Sequence, residues 1–172
     1  EMFRIDMRHI LGYTKEFWEF SDELTVLAEV VINETIRLLY HSLVTAFCTP
    51  ILENGKNSTY AVFGLGKLGS CELGFASDIE IMFIYSGHGR TNASCCILNS
   101  EFYEKLVENL LGAIRARREG IFKIDLQLRP YGKAGSLAVS QEAFRKYFSP
   151  QGPAWPYERQ SLVRLRQIAG DE

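Results

Sequence analysis

The stretch FGLGKLGSCELGFASDIEIMF, residues 63–83, decides which fold this sequence supports. Gly64, Gly66 and Gly69 have the G-x-G-x-x-G spacing of dinucleotide pockets, and an alternating acidic and apolar run follows them. A dinucleotide fold needs a crossover helix after the third glycine, because neighbouring parallel strands require a connection of about a dozen residues or more. Residues 70–77 leave no room for that helix, so the context argues against a dinucleotide site.

A P-loop is excluded on simpler grounds. Lys67 is followed by Leu68 rather than by Ser or Thr, and Ala61 stands where the first glycine of that motif should be. Residues 59–63 and 79–85 are rich in β-branched and aromatic side chains, which is typical of strands. The stretch is therefore interpreted as a strand, a short Gly-Ser turn and a second strand in one unit.

The second strand presents a pair of carboxylates. Asp78 and Glu80 are two residues apart, so both point to one face, while Ile79 and Ile81 point to the other face and can join a core. Adjacent carboxylates repel each other unless a cation lies between them. Mg²⁺ suits this position, because it prefers oxygen ligands and binds through one or two carboxylates plus substrate phosphates. The alternative is that both residues lie on an ordinary solvated surface.

A third acidic residue strengthens the metal hypothesis. Asp125 interrupts the apolar strand IFKIDLQL, residues 121–128, between Ile124 and Leu126. If this strand lies beside the Asp78 strand, three carboxylates converge, which suits two-metal phosphoryl or nucleotidyl transfer.

Phosphate contacts are expected from the turn and from two nearby cations. Gly69 and Ser70 offer backbone N–H groups and a hydroxyl to the outer phosphates. Lys67 and Arg129 are candidates for neutralising phosphate charge, and the alternative is that both are solvated surface cations.

The order of elements predicts an α+β fold, with helices packed on a mixed sheet. Apolar periodicity and end signals predict helices over residues 21–47, 99–118, 141–148 and 157–167, and a further short strand over residues 137–139.

Composition narrows the class of protein. The chain has 172 residues, of which 47% are apolar, and a formal net charge of -2, so it lacks the basic footprint of a nucleic-acid-binding protein. Its four cysteines form no C-x-x-C pair, which gives zinc little support. No apolar run approaches the roughly 20 residues of a membrane span. We expect a cytoplasmic domain of a longer protein, with no nucleic-acid or membrane partner.

These motifs together resemble the nucleotidyltransferase superfamily. Its pattern is an apolar-Gly-Gly/Ser turn, an Asp-x-Asp/Glu pair on the next strand and a third acidic residue on a later strand, which here are Leu68-Gly69-Ser70, Asp78-Ile79-Glu80 and Asp125. More narrowly, the chain is similar to the catalytic domain of bacterial glutamine synthetase adenylyltransferases. The segments that carry this similarity are residues 64–83, 124–140 and 157–171, with the helical segments 3–12 and 23–32 before them.

The resemblance implies a DNA polymerase beta-like nucleotidyltransferase sheet, with a helical segment over residues 1–58, a catalytic core over 59–150 and the start of a C-terminal helical segment over 151–172. It also implies Mg²⁺-dependent transfer of AMP between ATP or ADP and a tyrosine hydroxyl of glutamine synthetase, which regulates nitrogen assimilation. PII-type signal proteins would act on the full-length enzyme. The implied metal ligands are Asp78, Glu80 and Asp125, with Asp125 also activating the nucleophile; the implied phosphate contacts are Gly69, Ser70, Lys67 and Arg129.

Two positions depart from the pattern of the resembled family. Glu80 stands where an Asp is usual, and Gln127 stands where an Arg is usual. A longer carboxylate can still bind metal, whereas the change at Gln127 removes a positive charge near the phosphates. Two other classes therefore stay open, a catalytically silent module that senses nucleotide or binds a partner, and a nucleotidyltransferase acting on a small molecule.

Overall fold

Helices and strands are interspersed along the chain, and most of the strands form one mixed sheet. The computed structural model describes residues 1–92, 96–114 and 122–171. None of the helices in these ranges is both long and apolar enough to cross a membrane. The helices are α1 (Met2–Ile10), α2 (Phe17–Phe47), α3 (Gly66–Gly69), α4 (Asn99–Ala113), α5 (Gln141–Phe148) and α6 (Pro156–Ser161), and the strands are β1 (Pro50–Leu52), β2 (Tyr60–Gly64), β3 (Ile79–Tyr85), β4 (Gly89–Thr91), β5 (Ile124–Asp125), β6 (Ala138–Ser140) and β7 (Arg166–Gly170).

Strand β3 is the centre of the main sheet. Its neighbour β2 runs antiparallel to it and pairs on the other side with β7, also antiparallel. The opposite edge of β3 is shared, because β5 pairs in parallel with its first residues and β6 pairs in parallel with its last. Strands β1 and β4 form a separate two-stranded sheet. The antiparallel β2–β3 pair is incompatible with a dinucleotide crossover, as the short gap in the sequence predicts.

The two faces of β3 pack against different layers. Ile79 and Ile81 lie in the main core with Phe83, as their alternation predicts, and this core also holds the buried faces of α2 and α4. Met82 and Ile84 belong to a smaller cluster on the opposite face, which includes side chains of α5 and of the C-terminal segment. Glu80 shares this second face, so it lies beside the smaller layer.

Most predicted elements are confirmed, and so is the α+β class. Strand 79–85 and helix 141–148 have the predicted bounds, and the helix predicted over 21–47 begins earlier, at Phe17. The helix predicted over 99–118 is observed as Asn99–Ala113. Its predicted end lies in residues 115–121, outside the described ranges. The division of the chain at residues 58 and 150 and the nucleotidyltransferase arrangement stay predictions.

The helix predicted over residues 157–167 is confirmed as far as Ser161 and is wrong beyond it. Helix α6 ends at Ser161, a 3₁₀ turn follows over Leu162–Arg164, and the chain then continues as β7. Tertiary pairing overrides the helical periodicity here, because the backbone groups on the second edge of β2 require partners. Strand β5 is also shorter than predicted, since within the described part of residues 122–128 only Ile124 and Asp125 pair with β3.

Substitution of Leu106 tests the packing of the main core. Leu106 on α4 is 0% exposed, so Leu106→Ala should lower the free energy of unfolding by about 2–5 kcal/mol. Leu38 on α2 is 62% exposed, and Leu38→Ala should change that free energy by about 0.5 kcal/mol or less. Urea denaturation followed by circular dichroism measures both. Equal effects of the two substitutions would contradict this assignment of the core.

Candidate active site

Glu80 and Asp125 lie next to each other in the sheet. They are directly paired in the parallel register between β3 and β5, as Ile79 and Ile124 are. Side chains at paired positions of neighbouring strands lie on the same face. Asp78 comes immediately before β3 and is exposed. The backbone positions of the three acidic residues proposed from the sequence therefore lie together at the start of β3.

The charges around Glu80 change its protonation. Burial raises the pKa of Glu80 above its usual value of 4.5, and the carboxylates of Asp125 and Asp78 raise it further. The cations of Lys67 and Arg164 partly offset this rise in the pKa. Such crowding of like charges around one half-buried acid is typical of functional sites.

Gly66 makes room for the carboxylate of Glu80. Its φ is +50°, and a Cβ at this position would lie 1.6 Å from Glu80 Oε2. The preceding Leu65 N–H donates to the backbone oxygen of Glu80 at 2.9 Å, which fixes the loop against β3. In the sequence, Gly66 is marked only by its place in the G-x-G-x-x-G spacing, although a glycine can indicate a close approach of backbone to a neighbouring group.

A cavity of about 390 Å³ opens beside Glu80. One wall comes from α6 and the 3₁₀ turn after it, a segment that sequence reasoning treated only as a family motif. The residue types in YERQSLVRLR, residues 157–166, did not indicate that this segment lines a cavity. Its position depends on the pairing of the following strand, β7, with β2. The lining residues are Gly66, Glu80, Leu128, Tyr157, Gln160, Ser161, Val163 and Arg164.

The predicted phosphate turn is a short helical turn, α3, packed under the C-terminal segment. Ser70 Oγ donates to the Gly66 carbonyl and to Glu72 Oε2, both at 3.0 Å. A Cβ on Gly69 would lie 1.8 Å from the backbone oxygen of Arg164, so this glycine allows two backbone segments to touch. Lys67 is exposed. The phosphate contacts assigned to Gly69, Ser70 and Lys67 stay predictions.

Arg129 holds a loop together. Its side chain is buried, and its guanidinium donates to the carbonyls of Leu126 at 2.7 Å and of Gly135 at 3.2 Å. These carbonyls lie at the two ends of the loop between β5 and β6. Arg129 is therefore not a solvated surface cation, which was the alternative given in the sequence analysis. Its contact with phosphate stays a prediction.

Gln127 contacts Asp125 directly. Its backbone N–H donates to Asp125 Oδ1 at 2.8 Å, and its side-chain amide donates to Oδ2 at 3.2 Å. A neutral amide thus occupies a position beside this carboxylate where the resembled family usually has a cation. Both oxygens of Asp125 already accept hydrogen bonds.

The donor set at this site is chemically suited to Mg²⁺, because it consists of carboxylate oxygens. A divalent cation would relieve the repulsion that raises the pKa of Glu80. Among the described residues, no three aspartate, glutamate, histidine or cysteine side chains are close enough to hold one ion as they are oriented. Binding would therefore require rotation of carboxylates whose backbone positions are already adjacent.

The fold and the site define an α+β domain whose acidic residues and glycine-rich turn meet at one end of a central strand. A family model described as glutamate-ammonia ligase adenylyltransferase matches residues 1–172. The chain belongs to this family.

Curated relatives agree with this assignment. A protein of Aromatoleum aromaticum is 36% identical over 89% of this chain, and one of Thioalkalivibrio sulfidiphilus is 33% identical over 99% of it. A protein of Shewanella frigidimarina is 36% identical over 89% of the chain. Each is named bifunctional glutamine synthetase adenylyltransferase/adenylyl-removing enzyme. The chain spans only 16 to 18% of the length of these three relatives.

Replacing Glu80 should stabilise the fold at neutral pH. Because the pKa of Glu80 is raised above 4.5, the folded chain binds this proton more tightly than the unfolded chain does. Stability therefore falls as the pH rises from 4.5 through the raised pKa. We expect Glu80→Gln to raise the free energy of unfolding at neutral pH, by less than about 1 kcal/mol because the site is half-exposed. Below pH 4.5 the gain should vanish.

Urea denaturation at neutral pH and at acidic pH measures this difference. Glu108→Gln, at an exposed position of α4, is the control for loss of one negative charge. A gain for Glu80→Gln that is equal at both pH values would show that charge crowding is not its cause.

Proposed function

We propose that this chain is an adenylyltransferase domain that moves AMP between a nucleotide and a tyrosine hydroxyl of glutamine synthetase, with Mg²⁺ as cofactor. The single observation that carries the proposal is the pairing of Glu80 with Asp125 beside the glycine-rich turn. In a member of the glutamate-ammonia ligase adenylyltransferase family, this acidic end of β3 is the best-supported place for the chemistry.

Either attachment or removal of AMP would use these carboxylates. In attachment, the tyrosine oxygen bonds to the α-phosphorus of ATP, the bond to the bridging oxygen breaks, and pyrophosphate leaves. Asp125 receives the tyrosine proton as general base. In removal, an oxygen of inorganic phosphate attacks the same phosphorus, the tyrosine oxygen leaves and takes up a proton, and ADP forms. The proposal covers transfer in either direction.

Asp78, Glu80 and Asp125 would hold the magnesium. When bound, Mg²⁺ supplies charge stabilisation for the transferring phosphoryl group and lowers the pKa of the attacking hydroxyl. Lys67 is exposed near Glu80 and would approach the phosphates from solvent. Gly69, Ser70 and Arg129 would contact phosphate only with a change in their present hydrogen bonds or packing.

The partners of the longer protein follow from the same proposal. ATP and glutamine synthetase are the substrates, and PII-type signal proteins act on the full-length enzyme in the cytoplasm. The names of the relatives support glutamine synthetase as the target.

Transfer of label from ATP to protein tests the proposal. The chain is incubated with ATP labelled at the α-phosphate, Mg²⁺ and glutamine synthetase, and separately with phosphate and labelled adenylylated synthetase. We expect label on the synthetase in the first reaction, or labelled ADP in the second. Asp78→Asn and Asp125→Asn should each lower the rate at least about 100-fold, because each removes a charge that acts in the transition state.

Glu108→Gln is the matched control, since it removes an exposed carboxylate from α4, which packs on the face of the sheet opposite to Glu80. Label on a small acceptor, with none on the synthetase, would identify a small-molecule nucleotidyltransferase. Nucleotide binding without transfer in either direction would identify a silent binding module. Either result would overturn the proposal.

A further inference from the structure

Arg164 extends into the Glu80 cavity from the wall that the C-terminal segment forms. It is the last residue of the 3₁₀ turn Leu162–Arg164, and it lines the cavity together with Gly66 and Glu80. Its side chain is 51% exposed, so it is accessible to a ligand from solvent. No role has been assigned to it so far.

The backbone that carries Arg164 is held firmly against the glycine-rich turn. The Arg164 carbonyl oxygen occupies the space where Gly69 lacks a side chain. Two residues later, Arg166 donates to the carbonyls of Leu68 and Gly69 at 3.0 Å each, and to Glu29 of α2 at 2.5 Å. The Arg164 guanidinium therefore projects from a fixed point beside the acidic residues.

Other arginines around this site use their guanidinium groups on backbone carbonyls. Arg129 does so within the β5–β6 loop and Arg166 from β7 to α3, and Arg159 donates to the carbonyls of Ser149 and Gly152. Arg164 instead donates only to side chains, namely Glu72 Oε2 at 3.2 Å and Ser70 Oγ at 3.4 Å. Of these four arginines, Arg164 is therefore the one whose hydrogen bonds a ligand can replace without breaking a contact to the backbone.

The bond to Glu72 is a weak competitor for this guanidinium. Both side chains of the pair are more than half exposed, at 51% and 59%, and exposed ion pairs contribute little to stability. A phosphate group carries more charge and accepts two parallel hydrogen bonds from an arginine. A triphosphate beside Glu80 would therefore attract Arg164 away from Glu72.

We propose that Arg164 is a nucleotide-binding residue that contacts a phosphate of the bound nucleoside triphosphate, and that Glu72 competes with the phosphate for it. This inference rests on the proposed function, since it takes the Glu80 cavity as the nucleotide site. It places a cation among the residues that line the cavity, whereas Gln127 beside Asp125 supplies no positive charge.

Binding of a non-hydrolysable ATP analogue tests the inference. The dissociation constant of α,β-methylene-ATP with Mg²⁺ is measured by calorimetry for the parent chain, Arg164→Gln, Glu72→Gln and the double variant. Loss of a charge-assisted contact should weaken binding about tenfold or more in Arg164→Gln. Glu72→Gln should tighten binding, because it removes the competitor. The double variant should bind as weakly as Arg164→Gln alone.

The Arg37–Glu34 pair on α2 is the matched control, with side chains 57% and 51% exposed. Arg37→Gln and Glu34→Gln should leave the dissociation constant unchanged, which separates a local contact from a general effect of charge. Thermal melting of each variant verifies that the fold is intact.

The outcomes distinguish this inference from the function on which it rests. Unchanged binding in Arg164→Gln, with a parent chain that binds the analogue, overturns the inference and leaves the proposed function standing. Weaker binding in Glu72→Gln contradicts the claim that Glu72 competes with the phosphate for Arg164. It would indicate that the Glu72–Arg164 pair only stabilises the local structure. A parent chain that binds no analogue overturns this inference and the attachment of AMP, whereas the removal reaction described above tests the other direction of the proposed function independently.

Discussion

The parallel contact between the first residues of β3 and β5 is the interaction on which the rest of the site depends. It is short, since only Ile79 and Glu80 pair with Ile124 and Asp125. The backbone N–H of Ile79 extends it by donating to the Lys123 carbonyl at 2.8 Å. Arg129 then secures the loop that leaves β5, so that β6 can use the remaining length of the same edge of β3. A shift of one residue in this register would turn Asp125 away from Glu80.

This arrangement works against local stability. Acidic side chains at the start of one strand repel each other. Burial raises the pKa of Glu80 most, and the repulsion by Asp125 and Asp78 raises it further. The protein surrounds them with compensating features, namely a glycine that leaves space for the carboxylate and cations on two sides. Sites that conflict with the most stable local choice are where function is expected.

The C-terminal segment lines the cavity beside Glu80 and also completes the main sheet. Strand β7 completes the sheet beside β2, and Gly170, at a φ of +106°, lets the backbone pass close to the Tyr60 carbonyl. Asp171 then accepts a hydrogen bond from the Tyr60 N–H at 3.0 Å. In the motif RLRQIAGD, residues 164–171, the residues at the end of β7 close the sheet, and the two arginines face the glycine-rich turn.

The sequence by itself determined the position of the central strand, the turn that connects it to the preceding strand, and the placement of the acidic residues at its start. Alternation, glycine spacing and loop length are local properties of the chain. The sequence also determined the α+β class. Only the tertiary structure decided that residues 166–170 form a strand, that Gly66 faces Glu80, that Arg129 binds carbonyls and that Arg164 lines the cavity. Each of these features depends on a partner that is distant in sequence. The apolar spacing of residues 157–167 is a local property, so it carries no information about the unpaired edge of β2 with which residues 166–170 pair.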